Sequence, residues 1–307
     1  MRKQAFLFPG QGAQYVGMGK DFFDSFGVAK ETFQEADDIL NETLSKIIFE
    51  GPENILTQTK YCQAAIFVNS IAILRVLRQQ MPNFVPFVTA GLSLGEYGAL
   101  HASEKLSFKD TLILLQKRAL FMNEACEKVP GTMAAILGLT AEQVETALKG
   151  VPGLWVANFN CPGQIVISGT KEGVEQGSQI LKEQGAKRVI PLSVAGAFHS
   201  GLMQRAQDML APLIMAAPIE ESSIQFVMNA VGGFVSTVSD IRKYLISQVT
   251  SSVRWEQGIR AMNEKSVDRY VEIGCGTTLS GMNRKIGVTG EILSVEKVSD
   301  LDKIGSM

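Results

Sequence analysis

Histidine is nearly absent from this chain: its 307 residues include two, His101 and His199. Any chemistry that needs imidazole as base or ligand must use one of them, and a site built on several histidines is excluded. Cysteine is scarce as well. The four residues Cys62, Cys126, Cys161 and Cys275 form no CxxC pair, so they supply neither a zinc ribbon nor a dithiol redox motif of that kind. Their scatter predicts free, buried thiols in a reducing compartment. With 10 prolines and 29 glycines against 46% hydrophobic and 20% charged residues, the composition is that of a globular protein, neither disordered, collagenous nor of low complexity. An excess of charge of either sign is missing too. Lys and Arg total 29 and Asp and Glu 31, a net charge of −2, which removes the basic surplus expected of a nucleic-acid binder. The longest apolar candidate is interrupted by Asp110, Gln116, Lys117 and Arg118, short of the roughly 18 residues of a spanning helix. The N-terminal apolar run, Ala5 to Phe8, stops at Pro9-Gly10 and is too short for a signal-peptide core. The expectation is a cytoplasmic protein with no nucleic-acid partner and no membrane span.

What is present suggests an α/β architecture of about two average domains' length. Residues 1–127 give a short strand (5–8), a Gly-rich turn, helical segments through 30–40 and 64–78, a second buried strand (85–90), a tight turn and two more helices. The texture changes after Pro130-Gly131. Strands are expected at 132–139, 154–160, 164–169 and 187–194. Between them a Thr140-Ala-Glu-Gln143 capping box opens one helix and a second covers 172–184. The order βαββαβ is the ferredoxin-like pattern. Helix (201–215), strand (223–229), two helices (241–249, 255–263) and a strand (269–273) follow it. The predicted organisation is a large α/β domain formed by 1–127 and 197–307, with a small domain at 128–196 inserted into it. A cleft between two such domains is a usual place for a substrate.

The strongest motif is Gly91-Leu92-Ser93-Leu94-Gly95, preceded by the apolar run 85–90 and followed by helix-compatible residues. GxSxG at a strand-to-helix junction is a nucleophile elbow, which projects the serine Oγ at the end of the strand. The amide of Leu94, at the helix N-terminus, then points where an oxyanion would form. The segment Phe8-Pro-Gly-Gln-Gly-Ala-Gln14 also follows a strand. A dinucleotide fingerprint starting at Gly10 would need a third glycine where Tyr15 stands, and a P-loop from Gly12 would need lysine at Met18. An ordinary tight turn remains, or a loop whose glycines bring a backbone amide to a reacting centre. Ser93 as nucleophile needs a base. His101, eight residues on in the same helical stretch, is expected on the helix surface facing away, which leaves His199 in Gly196-Ala-Phe-His-Ser200. No acid is spaced to orient it. Arg118 lies roughly 80° from the centre of the apolar stripe Leu112, Leu115, Ala119, Met122 and Cys126, whereas Lys117 is about opposite. It is therefore either half of a structural ion pair or a bidentate carboxylate clamp.

Taken in order, these motifs, together with Gln116-Lys-Arg118, Asn158-Phe-Asn-Cys-Pro-Gly-Gln164, the stretch from Gln248 to Trp255 and Val271-Glu-Ile-Gly274, resemble the malonyl-CoA:acyl carrier protein transacylases. The resemblance runs from about residue 4 to residue 297 of this sequence. It implies an α/β-hydrolase-like large domain with an inserted ferredoxin-like domain, the second half of which the strand order reaches separately. It implies Ser93 as nucleophile, His199 as general base, the amides of Gln11 and Leu94 as oxyanion hole and Arg118 as the clamp for the malonyl carboxylate. It also implies the backbone carbonyl of Gln248 as the group orienting the histidine, in place of an acid. Phe198 before the histidine is similar to the malonyl-preferring pattern. Cys161 and Cys275 depart from it, standing where serine and proline are common. The implied substrates are malonyl-CoA and holo-acyl carrier protein, with no cofactor or metal, acting on a monomer. A stand-alone acyltransferase serving a polyketide synthase, a serine thioesterase or hydrolase, and a non-catalytic carrier-binding module remain as alternatives.

Overall fold

In the computed structural model, which describes residues 2–305, the strands are β1 (Gln4–Phe8), β2 (Val88–Gly91), β3 (Thr132–Leu137), β4 (Leu154–Cys161), β5 (Gln164–Gly169), β6 (Arg188–Pro191), β7 (Gln225–Met228), β8 (Gly233–Val235), β9 (Arg269–Ile273) and β10 (Glu291–Val295). They form two sheets. The larger has the order β10-β9-β1-β2-β7-β8, and every pairing in it is parallel except β7 with β8. Parallel strands are joined by crossovers and covered on both faces, which is why β1 is apolar at four consecutive positions. The period of two divides them. Phe6 and Phe8 enter the core containing the helices Thr59–Gln80 and Phe108–Lys128, while Ala5 and Leu7 enter the core beneath Trp255–Glu264 and Thr278–Ile286.

The smaller sheet is antiparallel throughout, in the order β4-β5-β3-β6, with its own apolar cluster around Ile136, Phe159, Ile167 and Leu181. Its first helix, Ala141–Ala147, starts with the expected reciprocal capping box: Gln143 N–H donates to Thr140 Oγ1 and Thr140 N–H to Gln143 Oε1. Backbone bonds join this sheet to the rest of the chain, from Phe159 N to the Val253 carbonyl (2.9 Å) and from Val253 N to the Ala157 carbonyl (2.8 Å).

Two expectations need correction. No apolar stretch was expected to approach spanning length, yet the helix Thr59–Gln80 is long and apolar enough, by length and composition, to cross a membrane. Inside this protein 83% of its apolar window is buried, where it packs against Gly27–Leu40 and Phe108–Lys128. The length and apolarity of this helix match the burial it finds inside the fold. The C-terminal part also holds more structure than expected, since β8, β10 and the helix Thr278–Ile286 went unread. That helix has no side-chain cap of its own. Its first amides, Leu279 N and Ser280 N, donate to the buried Glu272 carboxylate on β9 (3.0 and 2.8 Å), a partner no local signature reveals.

Candidate active site

Adjacent parallel strands end on the same side of a sheet, and here β1, β2 and β7 deliver Gln11, Ser93 and Asn229 to one place. Ser93 has φ +54°, in the left-handed region, as the sharp turn of an elbow requires. The two flanking glycines serve close approach, not a positive φ. A Cβ on Gly91 would lie 2.0 Å from the Gly95 carbonyl group, and one on Gly95 would lie 2.2 Å from the Phe8 carbonyl oxygen. The strained turn is held by Asn229, whose Oδ1 accepts from Ser93 N (2.6 Å) while its Nδ2 donates to the Gly91 carbonyl (2.7 Å).

The Ser93 hydroxyl donates to His199 Nε2 at 2.7 Å. The imidazole's other nitrogen, Nδ1, lies 2.9 Å from the Gln248 carbonyl oxygen, which can only accept, so Nδ1 carries the proton and Nε2 is free to take one. Burial, then the nearby Arg118 charge, lowers the His199 pKa to about 4, against the pull of the Gln248 and Ser251 backbone. The imidazole is therefore neutral at physiological pH.

Arg118, 1% exposed, reaches the same point: its Nη2 donates to Ser93 Oγ (3.1 Å) and to Gln248 Oε1 (2.9 Å) and its Nη1 to Gln63 Oε1. Its guanidinium lies over the Tyr97 ring, 5.7 Å from the centroid. No carboxylate forms an ion pair with it among the described residues, so of the two readings offered by its sequence position the ion pair is removed. Glu96, fully buried one turn after Ser93, accepts instead from Gln248 Nε2 and from Asn229 N, both at 2.6 Å. Burial pushes its carboxyl up to about 8, against those two donors and the Arg118 charge.

Ser93, His199, Arg118, Gln11, Leu94 and Phe198 line one cavity of about 200 Å³, whose opposite wall carries Asn158 and Asn160 from the small sheet. The N–H groups of Gln11 and Leu94 donate to no protein acceptor among the described residues, which leaves both available to an oxyanion. A larger cavity, about 760 Å³, lies between the helix Lys171–Glu183 and the strands β3 and β6 and holds none of the candidate residues. His101 stands apart from the site, as expected, but is half-buried where an exposed helix-surface position was expected. Its ring packs edge-on against the stacked pair Phe67 and Phe108, Nδ1 meets the Leu106 carbonyl (3.0 Å), and burial lowers its pKa to about 4. All four cysteines are free and buried.

Sequence reasoning missed Gln63, Glu96, Asn229 and the side chain of Gln248. The first two carry a signal, a polar residue inside an otherwise buried helical face; Asn229, at the end of a strand, carries none.

A serine on a strained elbow, paired with a neutral imidazole and two spare amides, is the equipment of an enzyme that passes acyl groups through an ester. Residues 5–300 match the acyl transferase domain family. The chain is 44% identical over 290 residues to the malonyl CoA-acyl carrier protein transacylase of Bacillus subtilis, covering 93% of this chain and 91% of that protein. It is 35% identical over 307 residues to that of Haemophilus influenzae, covering 99% and 98%. Among solved structures, the malonyl CoA-acyl carrier protein transacylase of Clostridium perfringens superposes with a TM-score of 0.93 at 37% identity, over 99% of this chain and 96% of that one. A malonyl-transacylase in complex with its type II polyketide synthase acyl-carrier protein superposes at 0.94 and 35% identity, over 99% and 100%. The chain is an acyltransferase, and it belongs to the malonyl-CoA:acyl carrier protein transacylase family.

Proposed function

We propose that this protein moves malonyl from malonyl-CoA to the phosphopantetheine thiol of acyl carrier protein through a malonyl ester on Ser93. The observation that carries this reading is the 3.1 Å contact of the Arg118 guanidinium with the Ser93 hydroxyl inside one buried cavity. A cation so close to the nucleophile is placed to hold an acid one carbon beyond the thioester carbonyl. His199 Nε2 takes the Ser93 proton as Oγ attacks that carbonyl, and the amides of Gln11 and Leu94 receive the oxyanion. Collapse breaks the carbon–sulfur bond and CoA leaves as a thiol, taking the proton from His199. The pKa of a thiol is about 8.5, so this leaving group needs less acid assistance than an amine would. The carrier thiol then attacks the ester in the reverse sequence. Atoms and protons balance with no cofactor besides the two substrates. We read the two sheets as an α/β-hydrolase-like domain (1–127 and 197–307) and an inserted ferredoxin-like domain (128–196), the strand order 4-1-3-2 of the small sheet supporting the latter.

Incubation with malonyl-CoA should add one malonyl mass to the peptide containing Ser93, discharged by holo-carrier. An unlabelled Ser93 under turnover conditions overturns the proposal. The likeness to a transacylase bound to a type II polyketide synthase carrier favours a second carrier class, which transfer assays on fatty-acid and polyketide carriers in parallel would separate.

A further inference from the structure

A buried carboxylate outside the catalytic groups named so far is tied to them through two intermediaries, Asn229 and Gln248. Glu96 lies on the helix Gly95–Ala102 with no exposure. One of its oxygens accepts from Asn229 N, and Asn229 in turn holds Ser93 N and the Gly91 carbonyl. Its other oxygen accepts from Gln248 Nε2, which also donates to the Ser93 carbonyl at 3.0 Å. The same carboxamide spends its single oxygen on Arg118 Nη2. Because that oxygen faces a guanidinium, the Gln248 amide cannot be turned over without setting two donors against each other, and its NH₂ must face Glu96. Both Glu96 oxygens therefore meet N–H groups, contacts that favour the ionised carboxylate against the burial that opposes it, next to a buried guanidinium that forms no ion pair among the described residues.

We propose that Glu96 is a positioning residue that fixes the Arg118 guanidinium for malonyl recognition through the side chain of Gln248, and the Ser93 elbow through Asn229. It touches neither substrate nor reacting atoms. This inference rests on the malonyl-transfer reading above. A carboxamide in place of Glu96 has nearly the same shape but presents one acceptor and one donor to two donors. One contact becomes repulsive, and turning Gln248 to relieve it sets Gln248 Nε2 against Arg118.

The test compares malonyl with acetyl transfer. Acetyl lacks the carboxylate and has no use for the clamp, so a merely structural defect lowers both alike. Glu96→Gln should lower kcat/KM for malonyl about 10- to 100-fold, the range of a buried hydrogen bond to a charged group, chiefly through KM, and acetyl distinctly less. In an Arg118→Ala background the same substitution should leave the malonyl-to-acetyl ratio unchanged. Gln248→Met keeps the backbone carbonyl for His199 and cuts the link to Glu96, so its ratio should fall as in Glu96→Gln, which keeps the test available where Glu96→Gln does not fold. A folded Glu96→Gln or Gln248→Met protein with the wild-type ratio overturns the inference while wild type still forms malonyl-Ser93. A wild type that forms no such ester overturns the functional reading, and this inference with it.

Discussion

His199 Nδ1 lies 2.9 Å from the carbonyl oxygen of Gln248, so the imidazole that faces Ser93 is oriented by a neutral backbone group and not by a carboxylate. A carboxylate would stabilise the imidazolium by its charge; a carbonyl fixes tautomer and direction and contributes much less. With burial and the Arg118 charge opposing protonation, the histidine stays neutral far into the acid range.

Both imidazoles should therefore titrate near pH 4 when followed by NMR, and a midpoint near 6.5 for His199 would contradict the buried geometry. The sign for stability follows from the same values. Each folded-state pKa lies below the unfolded value of about 6.5, so between about 6.5 and 4 the unfolded chain binds more protons. The stability contributed by keeping these rings neutral is full above about 6.5 and is lost as pH falls towards 4, by up to roughly 3 kcal/mol for each ring. Denaturant midpoints measured across that window would check it.

His199→Ala should slow acylation by about 10²- to 10⁴-fold, the usual contribution of a positioned general base. His101→Ala should leave acylation per folded molecule unchanged and lower the melting temperature, because it empties space beside the stacked rings of Phe67 and Phe108. Rapid-quench measurement of the acyl-enzyme together with thermal unfolding separates the two effects. The reverse pattern would reassign the base.

Arg118→Ala should reduce malonyl transfer by about 100-fold or more, as expected for removing a charge-assisted, buried contact, and acetyl transfer far less. Equal losses for both donors would leave Arg118 with a packing role only. Intact-mass detection of the acyl-enzyme with malonyl-, methylmalonyl- and acetyl-CoA in parallel provides the readout.

Gly91→Ala and Gly95→Ala should both destabilise the protein although neither glycine has a positive φ. The new Cβ would meet backbone atoms at 2.0 and 2.2 Å, and backbone cannot rotate away as a side chain can. Overpacking costs about 1–3 kcal/mol where side chains can yield, so a loss at or above the top of that range is expected in equilibrium unfolding. Wild-type stability in either variant would mean that the strand-to-helix packing is looser than these distances imply.

Much of this site was legible in the chain because its signals are local. Gly91 to Gly95 mark a turn whose chemistry depends on five consecutive residues, Thr140 and Gln143 announce a helix start, and two histidines leave a short search for a base. Arg118 was found by helical phase, though phase alone left its partner open. The helix Thr59–Gln80 was expected over 64–78, but its full apolar length was not, because that length is set by tertiary burial; the half-buried setting of His101 was missed because its aromatic neighbours, Phe67 and Phe108, come from other helices. The helix Thr278–Ile286 lacked a visible start because its cap, Glu272, lies on a strand.

By itself, then, the sequence determined the elbow that carries Ser93, the choice of His199 over His101 as its neighbour, the α/β layering and the βαββαβ succession of the small sheet, since each follows from spacing, periodicity or the count of histidines along the chain. The tertiary structure decided what surrounds them. Only folding sets Gln63, Glu96, Asn229 and Gln248 around Arg118 and Ser93 from four separate segments, and only folding shows that the guanidinium is held by carboxamides, with no carboxylate partner among the described residues. Hydrogen bonds act over about 3 Å, whereas residues 63 and 248 are joined by 185 peptide units of chain, and no periodicity spans that distance.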